Sequence, residues 1–188
     1  MRLTLLILAL AMLPVHAALS PEQEQFWKQL SALCGKAFEG RIVESTSTTD
    51  ATFGGKTLTM HVRACSENEI KIPFHVGDNR SRTWVITRTA TGLRLKHDHR
   101  HEDGSEDKIT QYGGDTASTG TADRQDFPAD TFTSNLIPAA KTNIWTVFLT
   151  PEKIFGYGLR REAEGRRFRV DFDLTKPVAV PPAPWGHK

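Results

Sequence analysis

The chain has 188 residues, with 24 lysines and arginines against 22 aspartates and glutamates and a formal net charge of +2. A balance this close to neutral supplies no electrostatic footprint for nucleic acid and no basic excess for an anionic membrane surface. The length suffices for one domain with a sizeable core.

The first residues predict export. Arg2 gives a short positive start, residues 3–13 form an apolar run, Pro14 breaks it, and Val15-His16-Ala17 places small residues where signal peptidase cleaves. The run is shorter than the roughly 20 apolar residues of a membrane-spanning helix. The expected organisation is therefore a signal peptide over residues 1–17, a single β-barrel domain over 18–176 and a Pro-rich C-terminal tail over 177–188. The processed chain is expected to be periplasmic or secreted, without stable membrane insertion. In an oxidising compartment Cys34 and Cys65 are expected to pair as a disulfide, tying the end of the first helix to the end of an early strand.

One helix is predicted, and it comes first. Ser20 suits the N-cap, Pro21 the first helical position, and Gln23 completes a capping box. Phe26, Leu30 and Leu33 recur at helical spacing, and Gly35 ends the segment. Beyond Gly35 the apolar period changes from 3.6 to 2. Phe38 and Ile42 open the pattern, followed by Leu58, Met60, Val62 and Ala64, then by Ile70, Ile72, Phe74 and Val76. Trp84 and Ile86 share a face with Arg82 and Arg88; near the end, Phe155, Tyr157 and Leu159 form one stripe, and Phe168, Val170, Phe172 and Leu174 another. Such alternation predicts strands with one packed and one wet face. Turn residues between them, including Gly54-Gly55, Gly77-Asp78-Asn79, Thr91-Gly92 and Glu164-Gly165, predict antiparallel hairpins. On this parity His61 and His75 fall on wet faces. Residues 113–135 read as a long loop or weak edge strands.

A meander of this length with one apolar face must close on itself or fold over. The predicted class is all-β, an antiparallel barrel with the N-terminal helix plugging or flanking it; a two-sheet sandwich is the alternative.

One segment could carry chemistry. Three of the seven histidines, His97, His99 and His101, stand two apart after Leu93 and Leu95. On an extended strand that spacing puts all of them on the leucine face. The preceding strand runs back from the turn near Gly92, which brings Trp84 beside His97 or His99, and Arg82 beside His99 or His101. Three readings follow. The imidazoles could hold a divalent metal, with Glu106 as a further ligand and Glu102 or Asp103 as alternatives. They could line the polar mouth of a small-molecule pocket, where Trp84, Phe155 and Tyr157 supply apolar contact and Arg82, Arg88 or histidine holds an acidic or hydroxylated group. Or they could form a hydrogen-bonded network with neighbouring aspartates and arginines and carry no chemistry. No nucleophile elbow, phosphate loop or nucleotide fingerprint is present.

Two resemblances bear on these readings. Gly92, His99, His101, Glu106 and Gly113 resemble the first motif of the cupin family, with the first gap one residue longer; the resemblance implies a metal-dependent enzyme. The further histidine of a second cupin motif has no counterpart between Glu102 and Gly186. Over most of the chain, Cys34-Gly-Lys-Ala-Phe-Glu-Gly40, Met60-His-Val-Arg-Ala-Cys65, Arg80-Ser-Arg-Thr-Trp84, residues 97–103 and Gln111-Tyr-Gly-Gly-Asp115 resemble an uncharacterised family of secreted bacterial proteins. That likeness implies no activity. The leading helix and meander are similar in architecture to lipocalin-like (calycin-like) barrels, which implies a binding barrel for an apolar or amphipathic small molecule.

Overall fold

Ser20 begins the first helix as its sequence predicts: its hydroxyl accepts from the Gln23 amide while the Gln23 side chain accepts from the Ser20 amide, the reciprocal capping box of α1 (Pro21–Ser31). A computed structural model describes residues 19–187, and the expected signal segment 1–17 lies outside the described residues. After α1 come β1 (Ala37–Ser45), a 3₁₀ segment (Thr48–Phe53), β2 (Leu58–His61), β3 (Ala64–Cys65), β4 (Glu69–Val76), β5 (Asn79–Thr89), β6 (Gly92–His99) and β7 (Tyr112–Asp115). The chain continues through β8 (Arg124–Pro128), α2 (Thr131–Leu136), a 3₁₀ turn (Pro138–Ala140), β9 (Ile144–Thr150), β10 (Ile154–Arg161) and β11 (Arg166–Val178).

The strands form one antiparallel sheet in the order β7-β6-β5-β4-β2-β1-β11-β10-β9-β8, with β3 pairing beside β4. Pairing of β1 with β11 joins the early half of the meander to the late half. Among the described residues only the seam between β7 and β8 lacks a ladder, so the sheet is a nearly closed barrel rather than a sandwich. The inward stripes pack as the alternation predicts: Ile70, Ile72, Leu93, Leu95, Val170 and Phe172 are all fully buried. Cys34 and Cys65 form a disulfide that fastens the C-terminal end of α1 to β3.

At one end of the barrel α1 buries Phe26, Trp27 and Leu30. Glu24 takes a bidentate grip on Arg88 at 2.6 and 2.8 Å, and the guanidinium stacks 4.9 Å from the Trp27 ring. Gln23 reaches Thr116 beyond β7, and Gln29 reaches the Ala122 carbonyl ahead of β8. The helix therefore closes the end where the β5–β6 turn and the last residue of β7 lie, leaving the opposite end for a site.

The seam depends on two glycines. The Asp130 amide donates to the Gly113 carbonyl at 2.9 Å, and the Thr133 hydroxyl donates to that carbonyl at 2.8 Å while accepting from the Gly113 amide at 2.7 Å. A Cβ at Gly114 would overlap the Pro128 carbonyl, and one at Gly113 would overlap the Leu95 carbonyl. Residues 113–135, read from sequence as a long loop or weak edge strands, hold most of β7 and all of β8, the two edge strands of the sheet, and in addition a capped helix that the sequence reading lacks. Tyr-Gly-Gly-Asp has no apolar alternation to display, and a helix of six residues is too short to show a period.

His61 and His75 depart from expectation: they are buried, at 5% and 4% exposure. Their strand parity does face outward, but the C-terminal segment packs on that side of the sheet. β11 runs to Val178, opposite Ala37, and the chain then crosses to β5, where Ala183 and Trp185 hydrogen-bond Arg80 and where Pro184 and His187 lie beside Pro73 and Thr83. His187 ends 3.3 Å from Asp98.

Gly114→Val tests the seam. The added side chain must push β7 from the Pro128 carbonyl, and overpacking of this kind costs about 1–3 kcal/mol. A lowered midpoint in chemical denaturation is expected.

Candidate ligand cavity

The end of the barrel opposite α1 opens into a cavity of about 330 Å³. Its wall is built by strand phase. In β6, Leu93 and Leu95 are buried at the helix end, His97 follows at 3% exposure, and His99 stands half-buried at the strand's end. The β5–β6 register sets Trp84 opposite His97 and Arg82 opposite His99. Polarity therefore rises along the interior from aliphatic to aromatic to charged.

The rings form a continuous surface. Phe74 stacks on Trp84 at 4.9 Å, Trp84 on Tyr157 at 4.3 Å, and His97 on Tyr112 at 4.4 Å, with Trp145 5.2 Å from His97. Phe53, from the 3₁₀ segment after β1, and Ile137 and Ala139, from the connection between α2 and β9, complete the wall toward the opening.

Hydrogen bonding assigns the histidines. The Tyr112 carbonyl can only accept, so the His97 Nδ1–H donates to it at 3.0 Å. Nε2 is then the acceptor and takes the Tyr157 hydroxyl proton at 2.7 Å. Both ring nitrogens are engaged, which leaves His97 no lone pair for a metal. Burial drives its pKa down to about 3, with the Tyr112 hydrogen bond opposing. His99 Nε2 lies 3.1 Å from the Tyr112 hydroxyl; burial and then the charge of Arg82 lower it to about 4. Burial raises Tyr112 to about 12 and pushes Tyr157 well above its ordinary value. At neutral pH the wall is one of neutral imidazoles and phenols.

Other predicted site residues lie elsewhere. β6 ends at His99, and His101 is exposed in a turn where its amide donates to the Ser105 carbonyl and its carbonyl accepts from Gly104. Glu106 is exposed and pairs with Arg100 at 3.2 Å. Among the described residues no three His, Cys, Asp or Glu side chains converge as a metal site. The set His97, His99, His101 and Glu106 is not gathered, because the turn after β6 breaks the two-residue phase. Arg88 belongs to the α1 contact at the far end. Trp84, Arg82, His97, His99 and Tyr157 do meet in the cavity.

Sequence reasoning passed over Trp145, Arg161 and Arg166, and weighs Tyr112-Gly-Gly-Asp115 as a ligand-facing loop against a plain glycine turn; Tyr112, Trp145, Arg161 and Arg166 all line the cavity. Parity could have found two of them. Arg161 is in phase with Tyr157 and Leu159, Arg166 with Phe168, and the two arginines face each other across the β10–β11 pair. Arg166 pairs with Asp50 at 2.7 Å, both side chains nearly buried, while Arg161 pairs with Glu164 at 3.1 Å.

Among known protein families, curated proteins and solved structures, none matches this chain.

The neutral histidines make stability pH-dependent. A histidine whose folded pKa is depressed takes up a proton in the unfolded chain first, so stability is full above pH 6.5 and falls as pH drops toward the folded value. For His97 the window runs from 6.5 to about 3, and for His99 from 6.5 to about 4. Denaturant titrations at pH 7 and pH 5 should differ by up to about 2 kcal/mol for each deeply buried histidine. The difference should shrink in His97→Gln.

Proposed function

We propose that this protein is an exported binding barrel for a small apolar or amphipathic molecule. The observation that carries the reading is the cavity of about 330 Å³, walled by stacked aromatic rings and open at one end. Close-packed interiors leave few voids larger than a water molecule. An apolar space of this size, with a few polar groups at its rim, has the character of a ligand site. A cavity of 150 Å³ takes up benzene, so the volume suits a molecule of about two fused rings. The His97–Tyr157 bond holds the wall in place before a ligand arrives, so binding orders few side chains. Export is supported by the signal-peptide character of residues 1–17 and by the Cys34–Cys65 disulfide, which suits an oxidising compartment. Among the described residues no helix is long and apolar enough to cross a membrane.

Binding is measured by quenching of the cavity tryptophans with 2-naphthol, an uncharged two-ring probe, and by native mass spectrometry of protein taken from the periplasm. Saturable quenching is expected. Ala139→Trp, which fills the opening from an exposed position, should weaken it at least tenfold while leaving the thermal midpoint in place. Absence of saturable quenching, together with no co-purified small molecule, would refute the reading.

A further inference from the structure

We propose that the ligand carries a carboxylate, gripped side-on by the Nε–Nη2 edge of Arg82. This rests on the binding-barrel reading and names the chemical class it takes.

Three arginines line the cavity, and two have counter-ions: Arg166 holds Asp50 within the cavity wall, and Arg161 holds Glu164 in the turn beyond it. Arg82 has none, since among the described residues no carboxylate oxygen lies within 4 Å of its guanidinium. Its hydrogen bonds all leave through Nη1, to the Asn79 Oδ1 at 3.0 Å and the Ser81 Oγ at 3.4 Å, both neutral acceptors. Nε and Nη2 make no hydrogen bond within the described residues. These two parallel N–H groups are the fork that fits a carboxylate bidentately.

The surroundings favour an anion there. The guanidinium lies over the Phe53 ring at 5.7 Å and opposite His99 in the β5–β6 pairing, at the margin of the aromatic wall. A partly buried cation without a counter-ion has lost hydration that no fixed charge replaces. Nη1 is anchored by Asn79, whose Oδ1 also accepts from the Ser81 amide and hydroxyl at 3.1 and 2.6 Å, so the guanidinium is held in place before binding. A flat apolar body on Trp84 and Tyr157 with an acid group toward Arg82 meets both halves of the site. The class is therefore a monocarboxylic acid on an aromatic or similarly flat body of about two rings.

The test compares 2-naphthoate with its neutral isostere 2-naphthamide by calorimetry on the processed chain. Naphthoate should bind at least tenfold more tightly, and the preference should vanish in Arg82→Gln. In Asn79→Asp, which supplies Arg82 with a counter-ion in an unchanged shape, naphthoate should weaken at least tenfold while naphthamide is unaffected. This second variant keeps the test decisive if Arg82→Gln does not fold. Equal binding of the two compounds by the native protein would overturn the carboxylate proposal and leave the binding barrel standing. A naphthoate preference that survives Arg82→Gln or Asn79→Asp would overturn the assignment to Arg82. Binding of neither compound, with 2-naphthol also unbound, would overturn both readings.

Discussion

The hydrogen bond between His97 and Tyr157 spans the barrel interior, joining β6 to β10 across strands that share no ladder. Backbone pairing fixes each strand to its neighbours, but nothing in a ladder sets the distance between opposite walls. Here an imidazole and a phenol set it, and the Tyr112 carbonyl on the other nitrogen adds β7 to the same link. The rings then have only one way to stack. Trp84 lies on Tyr157 and Tyr112 on His97, so the space they leave is a fixed cavity rather than a slot that collapses. Burial keeps the histidine neutral. A charged imidazole would donate from both nitrogens, reversing the bond to Tyr157 and leaving the phenol proton to find another acceptor.

Closure depends on a second condition. β7 has four residues and two of them are glycines. Without them the β7 backbone could not approach Leu95 on one side and Pro128 on the other, and Tyr112 would be carried away from His97. The same pair that narrows the seam therefore places an aromatic ring in the site, and the stability of the barrel and the shape of the cavity are one problem. Thr133 from α2 seals the remaining backbone groups of Gly113, so the short helix acts as a clasp where a strand ladder is missing.

Much of this was legible in the residues. The capping box at Ser20 and the period of 2 through β4, β6 and β11 follow from local chemistry, which survives folding, while the pairing of Cys34 with Cys65 followed from an expected oxidising compartment holding two cysteines. The tight turn narrowed the partner of Trp84 to His97 or His99, and the register of the β5–β6 pair selects His97. The failures share a cause. His101 has the right parity but lies beyond the point where the strand ends, and the end is set by the turn through Gly104 rather than by the histidine spacing. Arg88 has the inward parity of Arg82, yet six residues along a strand carry it from one end of the barrel to the other, into the grip of Glu24. His61 and His75 are outward by parity yet buried, on the side of the sheet where a segment more than a hundred residues later in the chain packs beside Pro73 and Thr83. Parity reports the side of a sheet and not the depth along it or what covers it.

Depth is the coordinate that divides structural from functional residues in this barrel. At the α1 end, charge is matched within the fold, and Arg88 has its carboxylate at both nitrogens. In the middle, polar groups satisfy one another without charge, as His97 does between two tyrosines. At the open end, the matching is incomplete: Arg161 and Arg166 have partners, while Arg82 has only neutral oxygens on one nitrogen. A fold selected for stability alone gains nothing from a desolvated guanidinium beside an aromatic wall, because a shorter apolar side chain would fill the position at lower cost. Asn79 sharpens the point. It holds the arginine by an amide oxygen where a carboxylate of the same shape would bind more strongly, and an amide leaves the positive charge available to something from outside the chain.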